Sequence, residues 1–209
     1  MLRVDAERNR QRLLEAARAA FAEGGLDVPL EEIARRADVG IATLYRRFPT
    51  RDDLLAAVFE DRLIRFAALA AEARQTPDAW TGFRRYVERA CALQAADRGL
   101  RDLLVGGFPG GRRFRALRQQ AERDLAELVR RAQAQGTLRA DLVVEDVVVL
   151  LMANAGVVRA TRAGAPRAWR RFVALMLDAC SADGPQVLPA PPRAAQLARA
   201  MRRLSSRSP

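Results

Sequence analysis

The sequence predicts an all-α protein: an N-terminal three-helix unit over residues 1–50, a larger helical bundle over 51–183 and a basic Pro- and Arg-rich tail over 184–209. Three observations carry this. Apolar residues recur at i, i+3, i+4 and i+7 through most segments between Leu13 and Cys180. Gly, Pro and helix-capping residues punctuate those segments. Half of the 209 residues are hydrophobic, ample for a packed core.

Residues 5–23 read as the first helix, with Leu13, Leu14, Ala17, Ala20 and Phe21 on one face and Gly24-Gly25 as the stop. Arg8 and Arg12 lie one turn apart near its start, suited either to a phosphate or to a solvated face. In residues 30–53, Leu30, Ile33, Ala34 and Ala37 share a face, and Asp38-Val39-Gly40 interrupts with a residue, Gly40, free to take a positive φ. A second short helix follows, in which Ile41, Leu44 and Phe48 share one side while Thr43 and Arg46 point nearly the opposite way, flanked by Ala42 and Arg47. Two helices joined by so short a turn form a helix-turn-helix, whose second helix fits the major groove of DNA. Thr50, with Asp53 three residues on, reads as the N-cap and capping-box acid of a fourth helix running to about residue 74. That helix begins beside Arg51 and continues into the rest of the chain, so it is placed to carry movement between the two ends.

At these residues the chain resembles the tetracycline-repressor (TetR) family of bacterial transcriptional regulators. Ile33-Ala34, the Val39-Gly40 turn, Thr43-Leu44-Tyr45, Phe48-Pro49 and Arg51 followed by Leu54-Leu55 stand where that family has its Ile-Ala, turn, Thr-Leu-Tyr, Phe-x-x-basic and Leu-Leu. The motif covers roughly residues 8–60, and similarity in helix order continues to about residue 182. Val28-Pro29 stands where the family often has a Thr that caps the first motif helix and bonds a phosphate; Asp38 replaces a common Gly, Gly40 a common Ser and Ala42 a common Gly. The resemblance implies a helix-turn-helix DNA-binding domain followed by a ligand-binding and dimerisation bundle. It also implies a homodimer on an inverted-repeat operator in double-stranded DNA, released by a small-molecule effector. The positions expected to meet DNA are Arg8, Gly40, Ala42, Thr43, Tyr45, Arg46, Arg47 and Arg51. Arg46 is expected to read a base, most simply guanine. Tyr45 resembles the family tyrosine that holds a phosphate, Thr43 suits either task, and Arg47 and Arg51 are expected to neutralise backbone charge.

Thr76-Pro77-Asp78 is expected to cap a fifth helix, with Pro77 in its first turn and Trp80, Phe83, Val87, Cys91 and Gln94 on one side. A short segment from Leu100 to Val105 follows, and Gly106 to Gly111 then reads as a loop, since a phosphate cradle lacks both the Walker spacing with its Lys and a preceding strand. Phe114, Leu117, Ala121, Leu125, Leu128 and Ala132 stripe a long helix closed by Gly136. Val147 to Val158 is apolar nearly all round, and from Pro166 to Ala182 the stripe Trp169, Phe172, Val173, Met176 and Cys180 is broadened by Leu175 and Leu177. The β-branched Val143, Val144 and Val147 to Val149 also suit a strand; their helical surroundings favour helix. An all-round apolar helix has to be covered all round. The cover is either a second copy, through Val148, Leu151, Ala155, Trp169, Phe172 and Met176 as the resemblance implies, or burial inside one bundle. Trp80, Phe83, Phe108, Met152 and Asn154 are candidate walls of an effector pocket, the aromatics suiting plain core packing as well. Asn154 in so apolar a helix needs a partner: a ligand, a water or the twin subunit. From Gly184 on, Pro185, Pro189, Pro191 and Pro192 and five Arg without an acid favour disorder. Arg193 to Leu204 can alternatively form a basic amphipathic helix with Leu197, Met201 and Leu204 on one face, suited to DNA, anionic lipid or its own domain.

All 36 basic residues are Arg, and against 25 acids they give a formal charge of +11. An acidic polymer is the natural partner, although the Arg-for-Lys bias also fits a GC-rich genome. Residues 1–50 carry nine Arg against eight acids, so the motif depends on where its charges sit. The absence of His excludes the usual zinc site and the Ser-His-Asp triad, and no catalytic residue, metal ligand or cofactor site is expected. Cys91 and Cys180 fit reduced core thiols rather than a redox pair. The charged N-terminus does not read as a signal peptide, and the longest apolar run falls short of the roughly 20 residues of a membrane span, which points to the cytoplasm. Two rivals to a sequence-reading regulator stand: a sequence-indifferent DNA-coating protein using the tail and scattered arginines, and a small-molecule enzyme or carrier, for which the sequence offers no catalytic constellation.

Overall fold

The computed structural model describes residues 2–106, 112–182 and 188–205. Its helices in chain order are α1 (Leu2–Gly24), α2 (Leu30–Arg36), α3 (Ile41–Arg47), α4 (Arg51–Arg74), α5 (Ala79–Ala96), α6 (Arg98–Gly106), α7 (Arg112–Ala134), α8 (Val144–Thr161), α9 (Ala168–Cys180) and α10 (Ala194–Ser205). A lone Leu138–Ser181 bridge is the only extended pairing among the described residues, so the valines of α8 take the helical alternative.

The helix stops follow the sequence signals. Gly25 and Gly136, just past α1 and α7, take φ of 83° and 68°, the left-handed conformation that ends a helix. Thr50 Oγ1 accepts from the Asp53 amide at 3.1 Å while the Asp53 carboxylate accepts from the Thr50 amide at 3.0 Å, a complete capping box at the start of α4. The cap of α5 is Asp78, which accepts from the Thr81 amide, so Pro77 stands just ahead of the helix rather than in its first turn.

The turn between α2 and α3 corrects one expectation. The left-handed residue is Asp38, at φ 53°, whereas Gly40 sits at φ −66° and ψ 144° as the N-cap of α3. Asp tolerates this region better than most residues because its short polar side chain suits local bonding. The Val39 amide meanwhile donates to the Ala34 carbonyl at 3.0 Å, closing the turn.

Two apolar cores divide the molecule. The first joins Leu13, Phe21, Ile33 and Leu44 of α1–α3 to Leu54–Leu63 of α4, Leu100–Leu104 of α6 and Phe114 of α7. The second packs the far half of α4 with α5, α7, α8 and α9, around Phe83, Leu128, Val147 and Val173. The boundary expected at residue 50 therefore divides helices but not the core, because the short α2 and α3 have too little apolar surface to close one and rely on α4 and α6.

The tail gives a second correction. Disorder was the first expectation from Gly184 on, yet Ala194–Ser205 is a helix packed against α6, with Leu197 and Met201 half-buried. Its apolar stripe at i and i+4 finds a surface within the same chain, the last of the alternatives read from the sequence.

The φ of Asp38 yields a measurable consequence. Asp38→Ala should destabilise the chain by about 1 kcal/mol, while Asp38→Gly should not. Urea unfolding of the three proteins decides this; equal midpoints for Ala and Gly would refute it.

Candidate nucleic-acid interface

Helix α3 is seven residues long and is held by one side only. Leu44 is completely buried and Phe48, its C-cap, nearly so. The other side faces out: Gly40, Ala42, Tyr45, Arg46 and Arg47 are exposed and Thr43 is half-buried. Tyr45 is 46% exposed, open to a partner outside the chain.

The arginines around this helix fall into two groups. On α2, Glu32 accepts from Arg35 at 2.8 and 2.9 Å and from Arg36 at 2.8 Å, and Arg36 also reaches Glu23 at 2.7 Å. The hydrogen bonds from Arg35 and then Arg36 lower the Glu32 carboxyl to about 2, so the clamp stays charged at any ordinary pH. On α1, Arg10 lies 3.5 Å from Glu7, and Arg12 bonds Asn9 and sits 3.8 Å from Asp38. Arg8, Arg46 and Arg47, by contrast, have no ion-pair or side-chain hydrogen-bond partner among the described residues. Arg46 and Arg47 thus stand on the exposed side of α3 with their charge uncommitted among the described residues.

Arg51 departs from its expected role. Its Nε and Nη2 donate to the Leu26 carbonyl, the former at 3.1 Å, and Nη2 also donates to Val28 at 2.7 Å. The guanidinium is turned inward and ties the α1–α2 loop to the start of α4, because those two carbonyls need donors. It positions the motif instead of presenting its charge to a phosphate. Pro29, the N-cap of α2, offers no side-chain cap.

Among the described residues the expected effector walls do not come together. Trp80 stacks on Phe83 at 6.0 Å, and Phe83 is completely buried in the second core, which makes the pair packing. Asn154 is completely buried beside the far end of α5, where Nδ2 donates to Gln94 Oε1 at 2.9 Å and to the Cys91 carbonyl at 3.4 Å. Trp80 and Gln94 are about 21 Å apart along the helix, at 1.5 Å per residue, too far for one small pocket. Met152 is half-buried on α8, and Phe108 lies outside the described residues. Neither of two surface clefts, of about 160 and 380 Å³, is lined by Trp80, Phe83, Met152 or Asn154. The larger, between α1, α4, α6 and the α8–α9 connection, escaped the sequence reading because its five arginines are scattered from Arg18 to Arg162.

On the last two helices of the bundle, Val148, Leu151, Trp169, Phe172 and Met176 are half-buried, and Val149 and Leu175 are 43% and 52% exposed. Ala155, expected on the same face, is instead buried within the chain. Cys91 and Cys180 are separate free thiols, pushed up by burial to about 12 and 11. No cluster of metal-ligating residues occurs among the described ones.

A short helix set on a tight turn, anchored by one face and projecting two unpaired arginines, defines a helix-turn-helix DNA-binding protein. The family model for bacterial regulatory proteins of the tetR family matches residues 13–58, and that for the SbtR-like transcriptional regulator C-terminal domain matches residues 77–179. A TetR transcriptional regulator from Streptomyces coelicolor is 32% identical, the match covering 82% of this chain and 98% of that one, with a TM-score of 0.51. The chain belongs to the TetR family of transcriptional regulators. A match to an HTH-type transcriptional regulator of Staphylococcus aureus strain USA300, 38% identical over 60 residues, covers 28% of this chain and spans about a third (32%) of that relative's length. Two further structures share the fold. RolR in complex with resorcinol is 19% identical, covering 98% of this chain and 96% of that one, with a TM-score of 0.55. FadR of Bacillus subtilis in complex with stearoyl-CoA is 15% identical, covering 80% and 97%, with a TM-score of 0.60. Among the described residues no helix is long and apolar enough to cross a membrane.

The Gln94–Asn154 pair can be tested directly. Asn154 Oδ1 is buried without a partner among the described residues, which leaves the pair incompletely satisfied there. Asn154→Leu alone, which strands Gln94, should cost about 1–3 kcal/mol, while Gln94→Leu/Asn154→Leu together should be nearly neutral. Denaturant unfolding measures both; additive losses would show that each amide acts independently.

Proposed function

We propose that this regulator is a repressor that binds an inverted-repeat operator as a homodimer and leaves it when a small-molecule effector binds the bundle. The observation that carries the DNA reading is the distribution of free charge. Among the described residues Arg46 and Arg47 on α3 are unpaired, while Arg35 and Arg36 on α2 are held by Glu32 and Glu23. Arg46 reads a base through its guanidinium fork, and Arg47 and Tyr45 contact phosphate and set the register. Thr43, half-buried beside them, serves either task, and Gly40 and Ala42 let the backbone approach closely.

Two copies pair through the apolar faces of α8 and α9, where Val149 and Leu175 lie open to solvent beside half-buried Trp169, Phe172 and Met176. Such a symmetric interface sets two recognition helices a helical turn, or a multiple of it, apart. The complexes of RolR with resorcinol and of FadR with stearoyl-CoA support an effector for this chain. An effector acts by its differential affinity for the two head spacings, so tight binding alone switches nothing. The sequence-indifferent DNA-coating alternative predicts equal affinity for all duplexes.

Selection from a random duplex library should recover an inverted repeat, preferred over a scrambled duplex by about a thousandfold or more at fixed salt. Recovery of no motif would overturn the reading. On the selected site, Arg46→Ala should cost about 1–3 kcal/mol and relax one base position, while Arg47→Ala should weaken all sequences alike and lower the salt slope by about one.

Sedimentation tests the dimer. Leu175→Glu places like charges on the paired face and should raise the dimer dissociation constant by about a hundredfold or more. A monomeric wild-type chain at micromolar concentration would refute the interface.

A further inference from the structure

The cleft of about 380 Å³ opens where the head meets the bundle. Arg18 of α1, Arg62 of α4, Arg98 and Arg101 of α6 and Arg162 after α8 line it against, among the described residues, a single carboxylate, Asp97. Asp97 pairs with Arg62 at 3.0 Å, and Asp102, outside the lining, lies 3.7 Å from Arg98 and 3.4 Å from Arg101. Arg18 and Arg162 have no ion-pair or side-chain hydrogen-bond partner among the described residues. Even with both carboxylates counted, the five cations leave a surplus of positive charge in a concave site. Arg101 is only 5% exposed, its Nη1 donating to the Gln94 carbonyl at 3.3 Å. Charge held this way in low-dielectric walls attracts an anion strongly, and guanidinium forks match carboxylate and phosphate oxygens. Beside the arginines, Phe59, Val158 and Pro166 supply apolar surface. The volume suits a small ligand rather than a polymer.

We propose that this cleft binds a small organic anion, a single acidic group on an apolar body, with the acid between Arg18, Arg101 and Arg162 and the body against Phe59 and Val158. Taken with the effector reading above, on which this step rests, it is the site from which DNA affinity is regulated. The cleft is walled by the joints between head and bundle. Arg98 Nη1 donates to the Glu23 carbonyl at the end of α1 at 2.9 Å, and the Arg62–Asp97 pair ties α4 to the start of α6. Gly99 seats α6 directly on α4: a Cβ there would stand 2.6 Å from Phe59 Cζ. An anion held between Arg18 of α1, Arg101 of α6 and Arg162 after α8 bridges the head and the bundle beside these ties and so favours one setting of the head over another.

The test uses 2-naphthoate and its neutral isostere 2-naphthamide, titrated calorimetrically into the full-length protein at fixed salt. The wild type should bind the carboxylate about tenfold or more tighter than the amide, and Arg18→Ala/Arg162→Ala should abolish that difference. Neither side chain has an ion-pair or side-chain hydrogen-bond partner among the described residues, so the double variant should melt like the wild type. Equal binding of the two probes, survival of the preference in the double variant, or no naphthoate binding at millimolar concentration would each overturn the site. Loss of DNA affinity by the double variant without any probe would also overturn it, by assigning the arginines to the DNA surface. The second readout is affinity for the selected operator with and without naphthoate. If naphthoate binds in an arginine-dependent way yet leaves DNA affinity unchanged, the anion site stands and release by an effector at this site fails.

Discussion

The structure depends on the sharing of α4 and α6 between two cores. Helices α2 and α3, seven residues each, cannot bury enough apolar surface to order themselves. They are ordered because Leu54–Leu63 of α4 and Leu100–Leu104 of α6 complete the core around Leu44 and Ile33. The far half of α4, with Leu69, Ala70 and Ala73, belongs to the bundle core. A rigid helix rooted in both cores cannot tilt at one end without disturbing packing at the other, since interiors packed to crystal density transmit displacement. Arg51, bonded to the Leu26 and Val28 carbonyls, extends this bracing to the loop that precedes the motif.

Charge is arranged on the same principle of local closure. The head carries nearly as many acids as arginines, and on α2 the fold uses Glu32 and Glu23 to occupy Arg35 and Arg36. Exposed pairs of this kind contribute little stability individually. Their effect is on the field: neutralising Arg35 and Arg36 leaves Arg46 and Arg47 as the concentrated positive feature of the motif. The junction cleft shows the reverse arrangement, with more arginines than carboxylates and a concave wall to focus them.

The helix order, the helix stops at Gly25 and Gly136, the capping box at Thr50 and the outward set Thr43, Arg46 and Arg47 were all legible in the sequence. Each is decided by residues within about one or two helical turns, where periodicity and capping act. The left-handed residue of the turn was misplaced by two positions, since Gly is the better candidate on intrinsic grounds and only the closure of Val39 onto Ala34 puts the burden on Asp38. The tail was misread toward disorder because its prolines are visible in the sequence, whereas the surface of α6 that receives Leu197 and Met201 is not.

By itself the sequence determined that the chain is helical, that it carries a helix-turn-helix and which side of α3 faces out, because those properties follow from local spacing. Only the tertiary structure decided which charges remain free. It placed Arg51 inward, set Asn154 against Gln94 instead of beside Trp80, and assembled Arg18, Arg62, Arg98, Arg101 and Arg162 around one cleft. Pairing and clustering depend on contacts between residues as far apart as Arg18 and Arg162, and no local pattern encodes a distance across the core.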